Sequence, residues 1–387
     1  MFPKFAIAVC AALCVSPAAA EIEIPVPPAP PPEIAKLPVV LLVDLGSGQV
    51  LYARNPGKRF LPASMTKVMT AYVAFEEMAK GRLNRQALLT VKPQIAAQWS
   101  GKGTSMYLEA GEKVSVDNLL HGIMTASAND ASVVLAEGHG GGIKGWTYLM
   151  NQAARQLDMT GSHFASANGW PDGGKTYVTA NDLARLASAT IRDFPQDYVR
   201  YSGHTSFKWH DRMLYSHDPV TGVVEGADGI KTGFTNEAGY NFLGSAERDR
   251  RRLVMVVGGA RSEAERAEAS RALLEWGFAE WRARPLFAAG AQIAKAEVQG
   301  GRAPAVALTS KYPIHATVPR ASKEPIRLRV VYQGPIKAPI AKGQQVAELE
   351  IQEGTTPVGR VPLVAAEAVG KGSAIDRLIS GFMNLFS

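Results

Sequence analysis

Residues 62 to 67 read Pro62-Ala63-Ser64-Met65-Thr66-Lys67 and open an apolar segment that ends before Gly81. Large apolar side chains recur along it at three- and four-residue steps, which predicts a helix from Ser64 to Lys80. A serine and a lysine three positions apart lie on one face of a helix, so the amine can reach the hydroxyl as a general base. That role requires a lysine pKa below its usual value, which burial or a neighbouring cation produces. The segment therefore predicts a serine nucleophile at the start of a buried helix.

Strand and helix patterns extend on both sides of this segment. Residues 39–43 and 49–54 predict a hairpin, and Thr179 followed by Asp182 predicts the N-cap of a helix. The remaining elements are helices over 116–125, 131–138, 145–157, 179–191 and 262–278, and strands over 230–234, 239–246 and 252–258. The charged run from Arg248 to Arg252 predicts a solvated hairpin tip. These patterns predict an α/β domain over residues 39–285 with a helical middle part.

The first residues carry the features of an export signal. Lys4 precedes an apolar run over residues 5–15, and Ala18-Ala19-Ala20 has the small side chains of a cleavage site. The run is too short to span a bilayer. We expect a signal peptide over 1–20 and, because seven prolines follow, an extended spacer over 21–38.

The composition changes beyond residue 285. Many prolines and glycines surround short alternating segments, which predicts a small β-sandwich or barrel over residues 286–368. In the final segment, over 369–387, six apolar side chains recur at helical steps: Ile375, Leu378, Ile379, Phe382, Met383 and Phe386. This pattern predicts an amphipathic helix that lies in the membrane surface, with docking on the protein itself as the alternative.

Composition limits the possible classes of protein. The 387 residues are 46% hydrophobic and 20% charged, which excludes a disordered or fibrous chain. The net charge of +7 is compatible with an acidic polymer as partner. Both cysteines, Cys10 and Cys14, lie in the predicted signal peptide, so cysteine catalysis and a disulfide framework are excluded.

Two other kinds of site lack their sequence signature. The seven histidines form no His-Glu-x-x-His pair, and the spacing of His204, His210 and His217 fits no helical metal face. A Ser-His-Asp triad on a nucleophile elbow would need Gly-x-Ser-x-Gly, which does not occur in the sequence. We therefore expect no metal site and no such triad.

Three short motifs follow one another along the chain. Ser64-x-x-Lys67 is followed 63 residues later by Ser127-Ala128-Asn129, and Lys231-Thr232-Gly233 comes another 104 residues on. Each motif alone is weak, and a second Ser-x-Asn occurs at Ser166-Ala167-Asn168. In this order and spacing they are the signature set of penicillin-recognising serine enzymes.

The sequence resembles the low-molecular-mass penicillin-binding proteins, which are serine-type D-alanyl-D-alanine carboxypeptidases. The resemblance covers residues 37 to 285 specifically, and the β-rich end looks like the carboxy-terminal module of that family. It implies a penicillin-binding-protein and β-lactamase-like fold, with an antiparallel sheet, a helical subdomain and a following all-β sandwich.

The resemblance also implies roles for the motif residues. Ser64 would be acylated, Lys67 would be its base, and Ser127 would pass a proton to the leaving amine. Asn129 would hold the peptide, while Lys231 and Thr232 would bind the terminal carboxylate, close to Gly233. The backbone amides of Ser64 and Phe234 would form the oxyanion hole. Spacing makes Ser166-Ala167-Asn168 the unused copy of the motif.

Some positions depart from the family pattern. Relatives often have histidine where Phe234 stands, and leucine where Trp170 precedes Pro171. These differences concern fine specificity. Family members carry an arginine downstream of the last strand, and Arg261 and Arg266 are both candidates for it.

The resemblance implies an exported enzyme that needs no cofactor. Its partners would be peptidoglycan stem peptides, β-lactam inhibitors and, through the terminal helix, the membrane surface. We expect it in the periplasm, bound peripherally to the outer face of the cytoplasmic membrane. We expect no binding to nucleic acid. The alternatives are a DD-endopeptidase or a β-lactamase on the same site, or a non-enzymatic envelope scaffold. A class A β-lactamase would need a loop glutamate, and no glutamate occurs between Glu137 and Glu225.

Overall fold

The computed structural model describes residues 27–139 and 141–372. The predicted signal peptide, the first part of the predicted spacer and the terminal helix beyond residue 372 lie outside the described residues. The first domain contains β1 (Val39–Asp44), β2 (Gln49–Arg54), α1 (Thr66–Ala79), β3 (Leu88–Thr90), α2 (Pro93–Trp99), β4 (Lys113–Ser115), α3 (Val116–Met124), α4 (Asn129–Gly138), α5 (Gly142–Gln156), α6 (Ala180–Asp193), α7 (Pro195–Tyr201), β5 (Ser206–Trp209), β6 (Arg212–Tyr215), β7 (Ala227–Thr235), β8 (Gly239–Arg248), β9 (Arg251–Ala260) and α8 (Glu263–Ala279).

Five of these strands form an antiparallel sheet in the order β2-β1-β9-β8-β7. The predicted strands and helices of this domain are confirmed, with ends that shift by up to three residues. The predicted N-cap is also confirmed, because the Thr179 hydroxyl accepts a hydrogen bond from the Asp182 amide at 3.1 Å. The sheet places β7 and the long helix α1 in the same part of the domain, where β7 contacts the turn that precedes α1.

Both faces of the sheet are covered, which explains the continuous apolar run of β1. Val39 and Leu41 point into a core shared with α1 and the helical part, whereas Val40 and Leu42 point into a second core shared with α8. Alternate side chains of a strand lie on opposite faces, so a strand between two layers is apolar at every position.

Helix α1 is buried on nearly all sides. Every residue from Thr66 to Phe75 is buried, including Lys67, whose exposed fraction is 0%. The chain reaches this helix through a 3-10 turn, Ala63–Met65, in which Ser64 keeps partial exposure. The structure thus places a hydroxyl at the surface of a cleft and an amine beneath it in the core.

The described part of the predicted spacer packs on the first domain instead of standing free. Ile34 and Leu37 are buried in the core around α8, and Trp276 donates a hydrogen bond to the Ala29 carbonyl at 2.7 Å. Arg54 donates hydrogen bonds to the carbonyls of this segment. Its prolines are compatible with this extended path, and two apolar side chains among them provide the attachment.

The run from Arg248 to Arg252 is only partly the solvated hairpin tip that the sequence predicts. Arg248 binds Glu275 and Arg252 binds Asp228, while Arg251 is buried with 6% exposure. Only Asp249 and Arg250, in left-handed backbone conformation, form the exposed turn. Sequence alone cannot tell a solvated arginine from one that finds a partner on another strand.

The second part of the chain is all β, as predicted. It contains β10 (Trp281–Phe287), β11 (Gln292–Gln299), β12 (Ala305–Thr309), β13 (Ile314–Pro319), β14 (Ile326–Val331), β15 (Ile336–Lys337), β16 (Gln345–Glu353) and β17 (Thr356–Ala365). A six-stranded sheet has the order β14-β16-β17-β12-β11-β15, and β10 pairs with β13. Strand β10 begins five residues before the predicted boundary, and its first residue, Trp281, packs in the α8 core.

A buried polar network joins β1 to β13 of the second part. Asp44 accepts hydrogen bonds from Arg251 at 2.7 Å, from Thr317 at 2.9 Å and, at 2.7 Å, from His315. Burial acts to raise the Asp44 pKa, but the hydrogen bond and charge of His315 and the charge of Arg251 outweigh it and lower the pKa to about 2. Asp44 is therefore an ionised carboxylate with no exposure, held by partners on both domains.

We expect Asp44→Asn to lower the free energy of unfolding by about 3 kcal/mol at pH 7, because removal of one partner leaves Arg251 as a buried charge without compensation. A urea titration at several pH values measures the effect. Since the folded-state pKa is depressed, the stabilisation is present above the unfolded pKa near 3.8 and is lost as the pH falls toward 2. The difference between wild type and variant should shrink over that interval.

Asp249→Asn provides the matched control, because it removes the same charge at the exposed turn. We expect a change within about 0.5 kcal/mol. A loss of equal size in both variants, or a difference that does not depend on pH between 4 and 2, would contradict the role of Asp44.

Candidate active site

The three sequence motifs meet at one cleft of about 690 Å³. The 3-10 turn with Ser64 forms its floor, β7 forms one side, and the segments before α4 and around Asn168 form the other. The lining includes Ser64, Ser127, Asn129, Asn168, Thr232, Gly233, Phe234 and Arg266. Lys67 lies beneath this surface, and Lys231 is buried with 3% exposure.

The Lys67 amine connects three separate segments. Its Nζ lies 2.8 Å from Ser64 Oγ, 2.9 Å from Asn129 Oδ1 and 2.8 Å from the Asn168 carbonyl oxygen. These three contacts occupy every hydrogen-bond position of the amine, since the neutral form offers two N–H donors and one acceptor lone pair. The predicted contact between the Ser64 hydroxyl and the amine of Lys67 is therefore present in the structure.

The segment with Ser127 and Asn129 is fixed by the loop before it. The Asn129 amide donates to the Thr104 carbonyl at 2.9 Å, and the Thr104 hydroxyl donates to the Ser127 carbonyl at 2.7 Å. Asn129 Nδ2 donates to the Lys102 carbonyl at 3.0 Å. Ser127 has a left-handed backbone, with φ of 61°. A strained residue held by such neighbours is frequent at functional sites.

Asp130 is a site-supporting residue that the sequence analysis missed. It is fully buried and accepts hydrogen bonds from the Ser105 hydroxyl at 2.6 Å and from the amides of Met106 and Leu108 at 3.0 and 3.1 Å. The carboxylate thereby fixes the loop that carries Thr104. An acidic residue directly after Asn129, at the start of a helix, is the signal that could have revealed it.

Strand β7 carries the third motif. Lys231 and Thr232 are nearly buried, whereas the Phe234 ring is 47% exposed and stacks on Tyr240 with 4.2 Å between ring centroids. A side chain at Gly233 would clash with the Pro62 carbonyl, so the glycine brings β7 against the turn of Ser64.

Burial lowers the pKa of both lysines, and the charge of Lys231 adds to this effect at Lys67. Burial is the largest cause of the strongly lowered pKa of Lys67, and the charge of Lys231 lowers it further, against the opposite influence of Asp130. The pKa of Lys231 falls to about 7, mainly through burial, with Asp218 raising it and Arg266 lowering it. A neutral Lys67 can accept a proton from Ser64.

The second Ser-x-Asn, which spacing excluded as the motif, is nevertheless close to the site. Asn168 provides the carbonyl that holds Lys67, and Gly169, with φ of +74°, lies against the turn of Ser64. A side chain at Gly169 would clash with the Ala63 carbonyl. This loop therefore packs against the turn of Ser64 and holds Lys67. No local pattern indicates this role, because Asn168 lies 101 residues from Lys67 in the sequence.

The structure also distinguishes the two candidate arginines. Arg266 lines the cleft, is 3% exposed and donates to Glu263 at 2.8 Å and to the His217 carbonyl at 3.2 Å. Arg261 is exposed and binds Glu265 at 2.8 Å. Burial lowers the pKa of Arg266, although Glu263 counteracts it. Arg266 is thus the cationic side chain on the cleft wall.

Residues 27–139 and 141–372 hold no group of three or more His, Cys, Asp or Glu side chains arranged for a metal ion. Within the same ranges, no helix combines the length and the apolar composition needed to cross a bilayer.

The chain matches two known protein families. The family described as D-alanyl-D-alanine carboxypeptidase matches residues 28–262, and the family described as penicillin-binding protein 5, C-terminal domain, matches residues 281–371. Among curated relatives, the D-alanyl-D-alanine carboxypeptidase DacD of Salmonella typhimurium is 33% identical over 361 residues, which cover 92% of each chain.

Solved structures give the same result. Penicillin-binding protein 5 of Haemophilus influenzae superimposes with a TM-score of 0.71 at 28% identity, over 87% of this chain and 98% of that one. Penicillin-binding protein D2 of Listeria monocytogenes, in its ampicillin-bound form, matches with a TM-score of 0.57 at 30% identity, over 62% of this chain and 97% of that one. The predicted fold class is confirmed by these relatives.

Proposed function

The chain belongs to the D-alanyl-D-alanine carboxypeptidase family of serine hydrolases, and we propose that Ser64 is the residue acylated when it removes the terminal D-alanine of a peptidoglycan stem pentapeptide. The observation that carries the proposal is the 2.8 Å contact between Ser64 Oγ and the buried Nζ of Lys67. A hydroxyl beside a neutral amine is an activated nucleophile.

Acylation follows from this pair. Lys67 takes the proton of Ser64 as Oγ bonds to the penultimate D-alanine carbonyl, and the peptide C–N bond then breaks. Ser127 gives its proton to the departing amine and is reprotonated from the Lys67 ammonium. Water hydrolyses the ester, which releases the shortened peptide and restores Ser64. The reaction requires no cofactor, and β-lactams would acylate the same hydroxyl.

Two groups of residues would bind the substrate. One wall of the cleft provides cationic and hydroxyl partners for the terminal carboxylate. Thr232 and Arg266 line this wall, and Lys231 lies beneath it. Asn129 would hold the peptide backbone. The amides of Ser64 and Phe234, brought together where Gly233 lets β7 approach the turn, would stabilise the oxyanion.

We expect Ser64→Ala to abolish D-alanine release from a peptide that ends in D-Ala-D-Ala, a loss of more than about 10³-fold, because the variant lacks the attacking oxygen. Amino-acid analysis of the released D-alanine measures it. Ser188→Ala on α6 is the matched control and should retain wild-type activity. Release by Ser64→Ala would contradict Ser64 as the nucleophile, and no release by the wild-type protein would favour crosslink cleavage or a scaffold.

The acylation rate should rise with pH through the lowered pKa of Lys67, since only the neutral amine accepts a proton. Lys231→Gln removes a positive charge that lowers this pKa. We therefore expect the rising limb of the pH profile to move to higher pH in the variant, measured as acylation by a fluorescent penicillin. A limb that stays in place or moves to lower pH would exclude this coupling.

We also propose that the protein is exported and acts in the periplasm, peripheral on the outer face of the cytoplasmic membrane. The domain limits would be a signal peptide over 1–20, a linker over 21–38, the catalytic domain over 39–285, the β domain over 286–368 and an anchor helix over 369–387. The sequence patterns of the two ends support this arrangement.

The anchor can be tested in the complete mature chain by sedimentation with anionic phospholipid vesicles. We expect Leu378→Asp with Phe382→Asp to weaken binding at least tenfold, because both would place a carboxylate among the recurring apolar residues. Ser380→Asp with Asn384→Asp adds the same charge at polar positions and should bind more strongly than the first variant. Equal loss in both would indicate simple charge repulsion.

A further inference from the structure

The net charge of the chain lies in its all-β part. Residues 281–372 contain 13 lysines and arginines against 6 glutamates and no aspartate, whereas residues 1–280 contain 28 basic and 28 acidic side chains. The excess of seven positive charges therefore belongs to the smaller part of the chain. Such an asymmetry favours association of this part with an acidic surface.

Six of these basic side chains surround one turn and one strand, and we call them the basic patch. They are Arg282 and Arg284 on β10, Arg320 and Lys323 in the turn after β13, and Arg327 and Arg329 on β14. Arg282 and Arg284 both donate to the Ser322 carbonyl, at 2.8 and 3.1 Å, which brings β10 against this turn. Among residues 27–139 and 141–372, none of the six finds a carboxylate partner in a salt bridge.

Strand β14 is the outermost strand on one side of the six-stranded sheet. It pairs with β16 alone, so no strand of the described ranges lies along its other edge. Successive side chains of a strand alternate between its faces, so Arg327 and Arg329 form one row, and Ile326, Leu328 and Val330 form the other. Leu328 is 40% exposed. The open edge therefore presents unpaired backbone groups between an arginine row and an apolar row.

The strand on the inner side of β14 shows which sequence fits these two rows. Strand β16 places Glu348, Leu349, Glu350 and Ile351 opposite Val331, Val330, Arg329 and Leu328. Its glutamates thus lie on the arginine side and its apolar residues on the apolar side. Because cross-strand neighbours on one face determine how well two strands pair, a second segment with this alternation would match the open edge.

The N-terminal part of the chain contains such a segment, outside the described residues. The sequence Glu21-Ile22-Glu23-Ile24 has the same order of glutamate and apolar residues as Glu348-Leu349-Glu350-Ile351. It directly follows the predicted signal peptide and precedes the prolines of the predicted spacer. The charge and the period of the segment are therefore complementary to the two rows of β14.

The described chain begins beside the basic patch. Trp276 donates to the Ala29 carbonyl at 2.7 Å, and its ring centroid is 5.9 Å from that of Trp281, which directly precedes Arg282. Arg282 in turn contacts the Ser322 carbonyl of the turn that leads into β14. When extended, residues 21–28 span up to about 27 Å, which is long enough to extend from Trp276 across the patch.

We propose that residues 21–24 pair with β14 of the same chain as an additional edge strand. The two glutamates then face the arginine row, and the two isoleucines extend the apolar row beside Leu328. This pairing satisfies backbone groups of the open edge and compensates charges of the basic patch. Because Ile34 and Leu37 already attach the following residues to the first domain, the added strand forms a second connection between the two parts of the chain.

Disulfide trapping tests the pairing in the full mature chain, residues 21–387. Both native cysteines, Cys10 and Cys14, lie in the predicted signal peptide, so introduced pairs have no competitor. Leu328→Cys is combined with Ile22→Cys or with Ile24→Cys, and the protein is oxidised at low concentration. We expect at least one pair to form an intramolecular disulfide in more than about half of the molecules, since opposite side chains on one face of two strands lie within disulfide reach.

Two control pairs separate strand pairing from random contact. Glu23→Cys with Leu328→Cys uses the adjacent residue, whose side chain points to the other face, and should give a yield about fivefold lower or less. Ile22→Cys with Lys337→Cys addresses β15, at the opposite end of the sheet, and should give no disulfide. Peptide mapping by mass spectrometry identifies each link, and gel electrophoresis without reductant separates monomers from dimers.

A charge exchange tests the arginine row. We expect Arg327→Glu with Arg329→Glu to lower the yield of the better pair about threefold or more, because attraction becomes repulsion. Glu21→Arg with Glu23→Arg, added to this variant, should restore the yield. If the charge-reversed strand fails to fold, the comparison of Ile22, Glu23 and Ile24 remains decisive.

The proposal is overturned if neither isoleucine position couples to position 328, or if all three positions of the segment couple equally. A disulfide found only between two molecules would assign the open edge to a second copy of the chain. A yield that charge reversal leaves unchanged would reject the arginine row as the recognition element. Without coupling, binding of the mature chain to anionic phospholipid vesicles that is lost on Arg327→Glu with Arg329→Glu would assign the patch to the membrane surface instead.

Discussion

The Lys67 amine, buried without exposure, holds together the three segments that form the cleft. Its contacts to Ser64, Asn129 and Asn168 span 101 residues of sequence, so the helix, the segment before α4 and the loop after α5 must all be in place. A charged amine in the core would be costly, and the nearby positive charge of Lys231 adds to that cost. The same burial that organises the site therefore leaves Lys67 able to accept a proton.

The surrounding fold is arranged to keep this amine buried and one hydroxyl accessible. Helix α1 is buried on nearly every side because the sheet and the helical part enclose it. Two glycines bring the walls against its first turn, Gly233 from β7 and Gly169 from the opposite loop. Backbone contact on both sides limits the motion of Ser64, which favours a defined position for the nucleophile.

Outside the cleft, a buried polar network joins the two parts of the chain. Asp44 lies between Arg251 of the first domain and His315 of the second. Loss of one partner from such a buried network would leave a charge in the core without compensation. The junction thus connects the β domain to the sheet that carries the cleft.

The elements whose signal is local follow from the amino-acid sequence alone. Residue spacing predicted α1 with Ser64 and Lys67 on one face, the cap at Thr179, the alternation of strands, the all-β second part and the resemblance that gave the family. Periodicity and capping depend on neighbours within a few residues, so a sequence displays them directly. Four features become visible only in the folded protein: Asn168 holds Lys67, Arg266 and not Arg261 lines the cleft, Arg251 is buried against Asp44, and the proline-rich segment packs on α8. Each of these depends on a contact between residues far apart in the chain, which is fixed by how whole elements pack and not by the pattern of any one of them.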